Sequence, residues 1–136
     1  MCILCDCKGD FGDLMQLTTL DCSGCETVAA IPATLTKLKV LECAGCVRLK
    51  SIPPTLVNLE FLDICCTNVS EIPDTCVKLT GLYCVGCVKI KAIPRTFAQL
   101  NDLDCAGCPG LKYVPYSPYA TLDLFNCDDD CAFLNQ

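Results

Sequence analysis

Apolar residues recur along this chain in a repeating phrase. Segments opening at Leu17, Leu38, Leu59, Leu79 and Leu100 align with steps of 21, 21, 20 and 21 residues and share the form LxxLxCxGCxxLxxIPxTLxx. Self-similarity at such a period marks stacked supersecondary units, none of which can bury its apolar face alone. The leucine at the fourth position and the cysteine at the sixth lie two residues apart, so they share one face of a strand whose side chains alternate. The phrase predicts five strands, Thr18 to Cys22, Lys39 to Cys43, Glu60 to Ile64, Thr80 to Cys84 and Asn101 to Cys105. The glycine before the second cysteine, as in Gly24 and Gly45, suits a turn residue with positive φ. Two further inward contacts follow in each unit, such as Leu49 and Ile52, and then a proline. Proline lacks an N–H and has a restricted φ, which favours extended geometry over a long helix. About seven residues remain before the next strand, room for one helical turn or a 3-10 segment.

Both ends carry degenerate copies of the phrase. Cys2, Cys5 and Phe11 fall where Cys22, Cys25 and Ile31 fall in the first full unit, and Leu122, Phe125 and Cys127 restart the motif at the other end. A stack exposes an apolar cross-section at each end, so divergent terminal units read as caps. Residues 1–136 are therefore read as a single domain, with an N-terminal cap and partial repeat over 1–16, five full repeats over 17–120 and a C-terminal cap over 121–136.

The repeat resembles the leucine-rich-repeat family, whose pattern is LxxLxLxxN/CxL, across residues 17 to 120. That resemblance implies an α/β-type, right-handed solenoid, with one parallel sheet of short strands on a concave face, a mostly irregular or 3-10 convex side, and little helix. It also implies a protein partner bound on the concave face. The LDCSGC and IPxTL phrases look like the short repeats of plant-resistance and bacterial-effector proteins, and similar small cysteine-rich repeat proteins are encoded by large DNA viruses of amoebae. By that likeness the protein would be viral and would act in the host cytoplasm or the virion. The departures are cysteine at the strand's third leucine position and a third unit reading Ile64-Cys65-Cys66-Thr67-Asn68.

Composition narrows the function. Hydrophobic residues make up 52% and charged residues 19%, as expected for a chain that buries most of its length. The net charge of −6 argues against nucleic acid, which needs clustered basic residues, and favours a basic partner. With no His, and no nucleophile-and-base pair or phosphate loop, no enzyme is expected. Residues 1 to 16 show neither the basic nor the apolar stretch of a signal peptide, and no apolar run approaches a membrane span, so a cytoplasmic, membrane-independent protein is expected.

Sixteen cysteines invite two readings. Cys22-x2-Cys25-x17-Cys43-x2-Cys46 and Cys84-x2-Cys87-x17-Cys105-x2-Cys108 have the spacing of four-thiolate metal sites, which makes a cysteine-ligated metal protein or a redox-responsive protein the alternative function. Any array with cysteine at its core positions would show the same spacing, and Cys2 with Cys5 leaves a pair over. The expectation is therefore a ladder of buried, reduced, metal-free thiols and no cofactor. Cys76 takes the slot of Leu35, Leu56 and Phe97 and should be core, whereas Cys65, Cys7, Cys127 and Cys131 are the candidates for reactive thiols.

Strand positions between the inward residues form columns on the outer side of the sheet. One column runs Asp21, Glu42, Asp63, Tyr83, Asp104; a second runs Thr19, Val40, Phe61, Gly81, Asp102; a third runs Ser23, Ala44, Cys65, Val85, Ala106. An apolar and aromatic centre flanked by carboxylates marks Asp21, Glu42, Asp63, Asp104, Tyr83, Phe61 and Val40 as the candidate partner-binding residues. Arg48, Lys50, Lys89, Lys91 and Lys112 should line the opposite flank, read as a solvated face. Self-association through the open ends of the stack, as in a structural or packaging component, is a further alternative.

Overall fold

The computed structural model describes residues 2–6, 13–115, 125–126 and 132–134. Its centre is a parallel sheet built from the five predicted segments, here β1 (Thr19–Asp21), β2 (Val40–Glu42), β3 (Phe61–Asp63), β4 (Gly81–Tyr83) and β5 (Asp102–Asp104). Each strand pairs with the next in the register of the repeat, so that Leu20, Leu41, Leu62, Leu82 and Leu103 lie side by side. The strands are one residue shorter at each end than expected, but the hydrogen-bond ladder outlasts them. Thr18 O accepts from both Lys39 N–H and Val40 N–H, Cys22 N–H donates to Glu42 O at 2.8 Å, and Gly24 N–H donates to Ala44 O at 2.7 Å.

The inward residues form one continuous core. Leu20, Cys22, Cys25, Val28, Ile31, Leu35 and Leu38 are buried in the first full turn, and their equivalents are buried in the next three turns and as far as Val114 in the fifth. Between these inward points the chain makes tight turns instead of helix. Leu35 N–H bonds Pro32 O, Leu38 N–H bonds Leu35 O, and the same pair of i to i+3 turns recurs after Pro53, Pro73 and Pro94. The conserved-in-phrase threonine has a role that the sequence reading missed. Thr55 Oγ1 donates to Ala33 O at 2.6 Å, Thr75 Oγ1 to Pro54 O at 2.7 Å and Thr96 Oγ1 to Asp74 O at 2.7 Å, a hydroxyl ladder that joins successive turns on the side away from the sheet.

The third unit loses its residue in the turn after β3. Thr67 takes the slot of Cys25, Cys46, Cys87 and Cys108, is buried, and donates its hydroxyl to Ile64 O at 2.8 Å. Val69 follows two residues later instead of three, with Asn68 N–H held by Leu49 O of the previous turn. Cys66 replaces the turn glycine and is held at φ 57, where Gly24, Gly45, Gly86 and Gly107 lie between 71 and 76.

The termini modify the expectation. Ile3–Asp6 forms one α-helical turn (α1) and Asp13–Gln16 a 3-10 turn, with Cys2, Leu4 and Leu14 packed against or within the core. Leu4 stands in the glycine slot of the degenerate phrase; it carries a Cβ and does not adopt positive φ, so the chain coils where a full repeat would reverse. Strand β7 (Phe125–Asn126) extends the main sheet with Phe125 opposite Leu103, in agreement with the restarted motif. The expected single sheet gains a companion, because β6 (Tyr113–Pro115) pairs in parallel with β8 (Ala132–Leu134) on another side of the stack. Phe11, Leu122, Cys7, Cys127, Cys131 and the end of the fifth repeat lie outside the described residues.

Positive φ costs a non-glycine residue about 1–2 kcal/mol, partly offset by the greater freedom of an unfolded glycine. Cys66→Gly should therefore stabilise the fold by about 0.5–1 kcal/mol, read as a higher urea midpoint at unchanged slope.

Candidate functional site

Alternation along β1 to β5 turns one set of side chains outward as strictly as it buries the other. All seven candidate residues lie on that outer surface. Register places Asp21, Glu42, Asp63, Tyr83 and Asp104 in one row across the strands, and Val40 and Phe61 next to each other in the row before it. Asp21 is exposed and the other six are half-buried.

Phe61 and Tyr83 form an edge-to-face pair with ring centroids 5.1 Å apart and planes at 78°. Gly81 makes this possible. A Cβ at that position would lie 2.7 Å from Phe61 Cδ2, so the ring rests over bare backbone. The Tyr83 hydroxyl donates to Asp102 Oδ2 at 2.8 Å, and that bond, ahead of partial burial and the neighbouring carboxylates, raises the phenol above its ordinary titration range. Asp102 thus belongs to the site, although it was not among the seven residues singled out from the sequence.

The carboxylates divide into two groups. Asp21 Oδ1 accepts Ser23 N–H at 2.9 Å, Asp63 Oδ1 accepts Cys65 N–H at 3.0 Å, and Asp104 Oδ1 accepts Ala106 N–H at 3.4 Å. Each closes the bend that takes the chain off its strand. The bond from Ser23 holds the Asp21 carboxyl below its usual range. A charge-assisted hydrogen bond contributes about 1.5–3 kcal/mol, whereas neighbouring charges about 4 Å apart repel by only about 1 kcal/mol in water. The three aspartates are therefore accounted for by turn capping, and like-charge repulsion along the column does not require a partner. Glu42, Val40 and the Phe61–Tyr83 pair have no such structural duty.

The paired cysteines are buried in the core, as the ladder reading expects. Cys46 Sγ donates to Cys22 O at 3.0 Å, Cys87 Sγ to Ile64 O at 2.9 Å and Cys108 Sγ to Cys84 O at 3.0 Å. Each thiol, a weak donor, reaches the carbonyl just past the preceding turn's strand. Burial raises Cys22 and Cys43, and the bond from Cys108 together with burial raises Cys84, so these sulfurs keep their protons. Among the described residues no three metal-binding side chains converge. Cys76 is fully buried.

Comparison with known proteins gives no match among family models or curated sequences.

One thiol assignment changes. Cys65 points outward as expected, but burial and its bond to the Asp63 carboxylate push its thiol up to about 12, which makes it a poor nucleophile. The exposed neighbour is Cys66, which was not among the four thiols expected to be reactive. Cys66→Ser should remove one rapidly alkylated equivalent in a thiol-trapping time course at neutral pH, while Cys65→Ser should leave the rapid phase unchanged. Asp63→Ala should cost about 1 kcal/mol through loss of the turn bond, and Asp63→Asn, which keeps the acceptor, only a few tenths, compared by thermal denaturation.

Proposed function

We propose that this protein is a leucine-rich-repeat interaction module that captures a basic protein segment on the outer face of its sheet. The observation that carries this reading is the Phe61–Tyr83 pair, held half-open over Gly81 at the centre of an acidic row. Aromatic side chains that are rigid before binding contribute contact area at little further ordering cost, and the surrounding carboxylates steer a positively charged partner. Among the described residues the row of Asp21, Glu42 and Asp63 forms no ion pair; a nearby pair, Lys39 with Glu60 at 3.6 Å, is solvent-exposed and contributes little.

In this reading the protein binds without catalysing, and its thiols serve packing. No helix among the described residues is long and apolar enough to cross a membrane, which fits the proposed cytoplasmic setting, in the host cytoplasm or virion if the source is viral.

The test is capture of partners from cell extract, followed by affinity measurement. Phe61→Ala should weaken binding by about 2 kcal/mol, more than Glu42→Gln, and added salt should slow association. Gly81→Ala removes no contact group but forces the Phe61 ring off its seat, so it should weaken binding while both aromatics remain. A partner indifferent to all three changes, and sensitive instead to charge reversal at Lys50, Lys89 and Lys91, would place the site on the flank and overturn the proposal.

A further inference from the structure

A flank opposite in charge to the sheet face recurs in three of the five full units. In the second, fourth and fifth units the inward residues Leu49, Ile90 and Leu111 are buried and basic residues are exposed beside them, Arg48 and Lys50, Lys89 and Lys91, and Lys112, whereas the first unit has Thr27 and Ala29 beside Val28. These five are half of the chain's ten basic residues. Ser70 takes the lysine position in the shortened third unit, with Glu71 beside it. Among the described residues Arg48, Lys50, Lys89 and Lys91 form no ion pair.

Both charge columns run along the same stack, so both carry its repeat. Successive strands in a sheet lie about 4.8 Å apart, and the turns that carry the lysines advance with them. The lysines of the adjacent fourth and fifth units therefore repeat at the pitch of neighbouring carboxylates such as Asp21 with Glu42 or Glu42 with Asp63, a spacing that an unrelated basic protein would have to reproduce. We propose that the basic segment bound by the sheet face is the lysine flank of a second copy of this chain, giving side-by-side assembly through face-to-flank contacts. The inference rests on the sheet face being a binding surface. It differs from end-to-end stacking, which would join the caps.

Such a contact is heterologous, since each copy offers a face to one neighbour and a flank to another. It leads to closed rings or open chains, not to an isolated pair. The net charge of −6 repels copies at a distance, so the contact forms where screening suppresses that repulsion more than the short-range pairing.

A charge-swap experiment tests this. The flank variant Lys50→Glu, Lys89→Glu, Lys91→Glu has a net charge of −12, from −6 with three changes of −2, and its substituted lysines hold no structural bond among the described residues. The face variant Asp21→Lys, Glu42→Lys, Asp63→Lys has a net charge of 0, from −6 with three changes of +2. It loses two turn bonds, so its folding is checked by circular dichroism, and the flank variant carries the test if it does not fold. Sedimentation velocity over a concentration series should show wild-type protein growing beyond dimers, and each variant alone associating at least about tenfold more weakly. An equimolar mixture should recover association to within about tenfold of wild type, because the reversed face again meets an opposite flank. General attraction cannot explain that recovery, since one component carries no net charge. Wild type that stays monomeric, or a flank variant that associates as wild type does, overturns the inference. If a captured heterologous partner still depends on Glu42 and Phe61, the binding face stands without it; if that partner ignores both, the two proposals fall together.

Discussion

A single turn of this chain cannot satisfy itself. Twenty or twenty-one residues return the backbone to the same point one strand further on, and there its strand amides and carbonyls and its apolar side chains find partners. The carbonyl of Thr18 is met by the next turn's N–H groups, the hydroxyl of Thr55 by the previous turn's carbonyl, and the thiol of Cys46 by the carbonyl of Cys22. Stability is consequently a sum of nearest-neighbour contacts along one axis, and the ends are the weak points. The helical turn at Ile3–Asp6 and the added strand β7 both lie where that dependence would otherwise leave an open cross-section.

The same constraint explains the cysteines. In the second, fourth and fifth units the second cysteine of each pair is buried and its thiol meets a carbonyl of the preceding turn. Where the third unit uses Thr67 the hydroxyl bonds Ile64 O within its own turn instead. No buried side-chain nitrogen or oxygen among the described residues lacks a hydrogen-bond partner.

Function, in this reading, lies on the surfaces that the stacking leaves over. A solenoid copies every outward position at one pitch, so a charge chosen once becomes a column. The sheet side gathers carboxylates around two rings, and the flank gathers lysines. What breaks the copying is informative: Gly81 replaces a larger neighbour and lets Phe61 settle, and the shortened turn at Thr67–Val69 interrupts the lysine column at Ser70.

The period, the strand positions, the inward residues and the outward columns were all legible in the sequence, because alternation along a strand and recurrence between repeats are local properties of the chain. The location of the deleted residue was legible only in part; the buried Thr67 was readable as a cysteine replacement only once its turn was seen to close on Ile64. Tertiary structure alone decided which carboxylates act as turn caps, since an aspartate two residues before an N–H can bond it or face solvent with the same sequence. It also seated Phe61 over Gly81, a contact between different strands that no spacing within one repeat encodes. Finally, it separated Cys65 from Cys66. They are adjacent in the chain, yet a positive φ at the second exposes its thiol, while burial and a carboxylate raise the first.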